Sequence, residues 1–159
     1  MATDFQQLVE ALSARQVRYV IVGGVALVLH GSARVTQDLD ICYARDPDNL
    51  AALADALAPF KLTLRGAPHD LPFRIDAPTL RSGLNFTLTG AIGDIDLLGE
   101  VTGVGGYPAL AAESTAMDLY GHTVQVMSLP TLEKAKRAAG RLKDLADLAE
   151  ILEIKKRTP

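Results

Sequence analysis

Residues 19–43 read YVIVGGVALVLHGSARVTQDLDICY, and this stretch decides the fold. The apolar, β-rich run 17–22 predicts a strand, and Gly23-Gly24 breaks it. Residues 25–29 are apolar all round, which predicts a short buried helix stopped at Gly31-Ser32. After a polar loop, Asp38 and Asp40 stand one residue apart inside a second apolar run that ends at Tyr43. The order is therefore strand, glycine turn, helix, loop, acidic strand.

Upstream, Phe5, Leu8, Val9 and Leu12 fall at helical spacing, with Thr3 as the expected N-cap of a helix over about 4–14. Downstream, Pro47 and Asp48 open an alanine- and leucine-rich helix, 49–57. Pro68, Pro72, Pro78 and Gly83 divide 61–83 into loops, with room for one short strand. Strands follow over 84–88 and 92–98, turned at Thr89-Gly90 and antiparallel to each other. Alternation puts Asp94 and Asp96 on one face of the second and Ile95 and Leu97 on the other. Residues 103–106 read as a flexible loop, and 116–119 with 120–127 as a hairpin turned at Gly121-His122. Ser128 or Thr131 caps two last helices, 132–139 and 142–154, split near Gly140. The expectation is a single α/β domain over 1–159, a mixed twisted sheet flanked by helices, ending in a basic helical segment, 130–159.

The composition supports folding: 48% of the 159 residues are hydrophobic, enough for one core. No apolar run is long enough to span a membrane, and the acidic N-terminus does not read as a signal peptide. Cys42 is the only cysteine, which excludes an internal disulfide and a cysteine-held zinc and suits a reducing cytoplasm. The net charge of −3 is unevenly spread: 130–159 holds eight Lys/Arg against five Asp/Glu, and the rest holds eight against fourteen. A basic tail stands beside an acidic body.

Two carboxylates at i and i+2 of a strand share a face and repel unless a cation sits between them. A hard divalent cation with oxygen ligands is the remedy, Mg²⁺ above all, because substrate phosphates complete its shell. Asp96, set between Ile95 and Leu97, supplies a third carboxylate; Asp94, behind a glycine, is its rival. Three carboxylates can share two metals, one at the attacking oxygen and one at the leaving pyrophosphate. The amides of Gly23 and Gly24 offer a phosphate site that a side chain would block.

The ordered set of Gly23, Gly24, Asp38, Asp40 and Asp96 resembles the nucleotidyltransferase fold of polymerase-beta-like enzymes. More narrowly, His30-Gly31-Ser32, Arg34, Thr36 and Asp38-Leu39-Asp40 look like the small AbiEii-type proteins of toxin–antitoxin systems, as does the tail from Lys136 through Arg141 to Lys143-Asp144. The resemblance implies a pyrophosphate-releasing enzyme that takes NTP, ATP among them, with two Mg²⁺ ions or Mn²⁺. It implies an acceptor hydroxyl on RNA, often the 3′ end of a tRNA, or on a protein, and a cognate toxin or antitoxin as partner. Asp38, Asp40 and Asp96 would hold the metals, and Gly23, Gly24, Ser32, Arg34, Lys136 and Lys143 the nucleotide. Each of the last four has a plainer reading: Ser32 caps the loop, Arg34 pairs with a surface acid, and Lys136 and Lys143 lie on a solvated face. A non-catalytic protein of the same fold, binding a nucleotide or a partner, and a metal-dependent phosphohydrolase are the rival functions.

Overall fold

The computed structural model describes residues 2–68 and 70–157. The first half of the chain forms α1 (Phe5–Ala14), β1 (Tyr19–Val22), α2 (Gly23–Leu29), β2 (Asp38–Tyr43), α3 (Pro47–Leu57), β3 (Thr63–Leu64) and α4 (Ala77–Ser82). The second half forms β4 (Phe86–Gly90), β5 (Gly93–Leu98), β6 (Glu100–Val101), β7 (Gly105–Gly106) and α5 (Tyr107–Ala112). It closes with β8 (Ser114–Leu119), β9 (His122–Met127), α6 (Leu129–Ala139) and α7 (Leu142–Arg157). Seven strands make one mixed sheet in the order β3-β4-β5-β2-β1-β9-β8; β6 and β7 pair separately. The expected α/β architecture, a mixed sheet flanked by helices, is what the chain adopts.

Two central pairings place the site. β2 runs antiparallel to β1 and parallel to β5. Leu39, Ile41, Ile95 and Leu97 are fully buried on one face of the β2–β5 pair, each contributing about 1.5–3 kcal/mol. A one-residue slip would send the acids into that core, so the apolar residues fix the register of the acids.

Several local expectations are corrected. Thr3 does not cap α1; Asp4 does, accepting the Gln7 N–H at 3.0 Å. Thr3 is buried instead, and a buried hydroxyl needs partners on both sides. Its hydroxyl donates to the Gln37 carbonyl and accepts the Asp94 N–H at 3.0 Å, bracing the starts of β2 and β5 together. Within 61–83 the strand is β3, but α4 was not foreseen. Asp76 caps it through the Thr79 N–H, and Pro78 lies in its first turn, where a missing N–H costs nothing. Residues 103–106 are not a free loop: Gly105 and Gly106 pair with Val101 and Glu100. The short α5 also carries too few turns to show a period. The last two helices do divide at Gly140, whose φ of +64° ends α6 in a left-handed cap, and Ser128 is the cap at its start. Among the described residues no helix is long and apolar enough to cross a membrane.

Candidate active site

In the parallel β2–β5 pair, Asp38 stands opposite Asp94 and Asp40 opposite Asp96. All four carboxylates therefore project from one face. One oxygen each from Asp38, Asp40 and Asp96 lie within 4.8 Å of one another. Asp40 sits deepest, and its Oδ1 is buried with no hydrogen-bond partner among the described residues. Burial first, then the charges of Asp38 and Asp96, push its carboxyl up to about 8. Burial also raises Asp96, against the pull of the Arg65 guanidinium. The donor set is all hard oxygen, crowded and short of positive charge, which fits a divalent cation.

The glycine turn abuts this cluster. Gly23 has φ +66°, and a Cβ there would lie 2.2 Å from Asp40 Oδ2. Gly24 is closed off more gently, with a Cβ position 2.9 Å from Thr36 Oγ1. Val22, the residue before α2, makes no side-chain capping hydrogen bond to the first-turn amides. The glycine turn and the deepest carboxylate thus pack against each other at one strand end.

Arg65 was missed by the sequence reading. It follows β3, and its Nη2 donates to Asp96 Oδ1 at 2.8 Å and to the Leu88 carbonyl at 2.9 Å. Its Nε lies 3.6 Å from Asp94 Oδ2. Asp94 is thereby drawn to the guanidinium, while Asp96 reaches both the guanidinium and the trio. The only signal in the chain was a cation just past the short strand, one of four Lys/Arg in a stretch broken by prolines. In metal-free protein, Arg65→Met is expected to cost about 1–3 kcal/mol in urea unfolding, the scale of a hydrogen bond to a partly buried charge. Added Mg²⁺ should recover part of the loss; a variant as stable as the parent would show that Arg65 does not hold the acids.

The C-terminal helices wall the other side. A cavity of about 290 Å³ runs from Gly23 and Asp40 to α6, with Lys136 and Lys143 among its lining. Larger hollows, of about 430 Å³, are lined by none of the four acids. Lys136 pairs with Asp147 at 2.9 Å and Asp144 at 3.4 Å. Arg34 pairs with Asp147 at 2.6 Å and Glu150 at 2.9 Å. Ser32 is nearly buried and accepts the Arg34 N–H at 3.1 Å, the loop-capping alternative. Asp147 thus fastens the 31–37 loop and α6 to α7. Lys143 makes no ion pair among the described residues. His30 is packed against the Met127 carbonyl, 2.8 Å away.

Asp144 is fully buried and takes the Arg141 backbone N–H at 3.0 Å and side-chain Nε at 2.7 Å. The Arg141 hydrogen bonds hold its carboxyl down to about 2. The folded value lies below the ordinary 3.8, so this contribution to stability is present above about pH 4 and is lost as pH falls towards 2. Asp144→Asn is expected to lower the melting temperature at neutral pH and to flatten its acid dependence; an unchanged acid limb would rule out this carboxylate as its source.

No family model matches the chain, and no curated protein matches it. Solved structures do. A lincosamide antibiotic adenylyltransferase with lincomycin bound aligns over 97% of this chain and 99% of its own, at 16% identity and TM-score 0.57. An antigenic nucleotidyltransferase-like protein from Paracoccidioides brasiliensis aligns over 96% and 77%, at 16% identity and TM-score 0.50. The fold is nucleotidyltransferase-like. On this nucleotidyltransferase-like frame, the convergent carboxylates, the glycine turn and the cavity lie together around the strand ends of β1, β2 and β5.

Proposed function

We propose that the chain is a metal-dependent nucleotidyltransferase. The reaction moves NMP from an NTP to an acceptor hydroxyl: the acceptor oxygen bonds to the α-phosphorus, the bond to the β-phosphate oxygen breaks, and pyrophosphate and a proton leave. The observation that carries this reading is the contact of Gly23 with Asp40 inside the Asp38, Asp40 and Asp96 cluster. A divalent cation held by these three carboxylates, Mg²⁺ or Mn²⁺, would supply Lewis acidity at the phosphate and acceptor oxygens. The Gly23 and Gly24 amides would bind phosphate oxygens, and Gly23 packs directly against Asp40. Lys143, without an ion pair among the described residues, would meet triphosphate charge at the cavity rim, with Lys136 also in the lining. Ser32 and Arg34 would act at one remove, holding the loop against α7. Asp96, with Oδ1 taken by Arg65, keeps Oδ2 for the metal or for the acceptor proton.

A small hydroxylated molecule is the acceptor this site supports best. The cavity beside Asp40, about 290 Å³ and walled by α6, is near the lower end of the range for small-molecule pockets. An RNA 3′ end, tRNA included, or a protein hydroxyl is the acceptor that a toxin–antitoxin role would need. The test incubates the protein with each α-labelled NTP, ATP first, and Mg²⁺ or Mn²⁺. Separate arms contain a small-molecule extract, total RNA and cell protein. Label on a small molecule with pyrophosphate release is the expected result. Label on RNA or protein would move the acceptor class. Release of inorganic phosphate instead of pyrophosphate would overturn the transferase reading.

A further inference from the structure

The three clustered carboxylates are not equally free. Arg65 Nη2 carries two N–H groups and spends both, one on Asp96 Oδ1 at 2.8 Å and one on the Leu88 carbonyl at 2.9 Å. The Arg65 backbone N–H donates to the Thr87 carbonyl at 2.9 Å, which continues the β3–β4 register and anchors the root of the side chain. Arg65 Nε lies 3.6 Å from Asp94 Oδ2, so a second carboxylate also pulls on the guanidinium. A guanidinium keeps its charge at any working pH. One oxygen of Asp96 is thus occupied by a donor that does not titrate away. Among the described residues, no Lys or Arg pairs with Asp38 or Asp40, and Asp40 Oδ1 has no hydrogen-bond partner.

We propose that Arg65 selects which divalent ion the cluster prefers. By holding Oδ1 it confines Asp96 to ligation through Oδ2 alone, and so disfavours ions that draw on both oxygens of a carboxylate. The inference rests on the metal reading of Asp38, Asp40 and Asp96. Ca²⁺ gathers about six to eight oxygens at roughly 2.3–2.6 Å and readily takes both oxygens of one carboxylate. Mg²⁺ demands a near-ideal octahedron at about 2.0–2.1 Å, and Mn²⁺ also suits an octahedron of oxygens. The narrow bite of a carboxylate suits the first ion and distorts the other two. One oxygen each from Asp38, Asp40 and Asp96, all within 4.8 Å of one another, is a donor set that leaves the rest of an octahedron to water or phosphate. The guanidinium charge opposes all three ions alike, because all three are divalent. The loss of an oxygen does not, so the ratio of affinities separates the two effects.

Metal binding without nucleotide tests this. Free Mn²⁺ is counted by electron paramagnetic resonance, Ca²⁺ and Mg²⁺ are titrated in competition, and circular dichroism shows that each variant is folded. Arg65→Met is expected to bind all three ions more tightly and Ca²⁺ most of all, raising the Ca²⁺-to-Mg²⁺ affinity ratio by at least about tenfold. The rise should vanish when Asp96→Asn is added, because an amide offers one oxygen. An equal gain for the three ions overturns the proposal, since the guanidinium then acts through charge alone. So does a rise that persists with Asp96→Asn. A crystal of the parent soaked in Ca²⁺ gives a measurement that needs no variant. Asp96 ligating through Oδ2 with Arg65 in place is expected; ligation through both oxygens with Arg65 displaced overturns the proposal. A parent that binds none of the three ions overturns the metal reading and this inference with it, whereas an unchanged ratio in a Mn²⁺-binding Arg65→Met variant overturns this inference alone.

Discussion

The variant carrying Asp38→Asn and Asp40→Asn is expected to fold, to melt higher than the parent in metal-free buffer at pH 8, and to lose transfer by at least about a thousandfold. The loss follows if the acids supply several kcal/mol of transition-state stabilisation through a bound cation, at about 1.4 kcal/mol per tenfold in rate. The gain in stability follows from charge. Asp40 keeps its proton up to about pH 8 in the folded chain, against an ordinary value of 3.8, because burial and then Asp38 and Asp96 oppose ionisation. The folded state therefore binds that proton more tightly than the unfolded one. Its favourable contribution is complete below about pH 4 and disappears as pH rises to about 8. Asn has the shape of the protonated carboxyl and no charge to lose. Melting curves of parent and variant should therefore converge near pH 4 and separate towards pH 8. Mg²⁺ should raise the parent's melting temperature and leave the variant's where it is. Transfer retained by a folded double variant would remove the carboxylates from the chemistry.

Gly23→Ala is expected to cost about 2–5 kcal/mol in urea unfolding, from a left-handed backbone forced on a residue with a Cβ and from a collision in a packed site. The collision is with Asp40 Oδ2, 2.2 Å from the new methyl, and Asp40 is hemmed in by Asp38 and Asp96. Any residual activity should fall at least about a hundredfold, because the carboxylate must move to admit the methyl. Gly24→Ala is the matched comparison. Its methyl meets the Thr36 hydroxyl, a small group on a loop that can turn aside, so its cost should be the smaller of the two. Equal effects at both positions would mean that the packing against Asp40 is not what requires glycine.

The central motif was legible because its signals are local. Asp38 and Asp40 alternate with Leu39 and Ile41, and Asp96 with Ile95 and Leu97, so the period alone assigned their face. The parallel pairing that sets Asp40 opposite Asp96 is long-range, and only the family resemblance pointed to it. What stayed hidden depends on contacts between segments distant in sequence. Thr3 looks like a helix cap until β2 and β5 converge on its hydroxyl. Arg65 looks like a solvated charge until β3 pairs with β4 and swings it over Asp94 and Asp96. Arg34 and Lys136 were free to be read as phosphate ligands because their partners, Asp147 and Glu150, lie on a helix whose orientation the sequence does not encode locally. Short helices such as α4 escape for another reason: six residues are too few to display a period.

The pairing of β2 with β5 also has a bearing on how the chain reaches its folded state. The β1–α2–β2 segment and the β4–β5 hairpin can each form from near neighbours, but β2 meets β5 only across forty-nine intervening residues. Closing that interval carries an entropic cost, and it is the step that first crowds Asp38 and Asp40 against Asp96. Electrostatic repulsion is therefore concentrated at the docking of β2 on β5. A divalent ion captured there would act as a template for docking β2 on β5, so that the refolding rate would answer to the supply of metal.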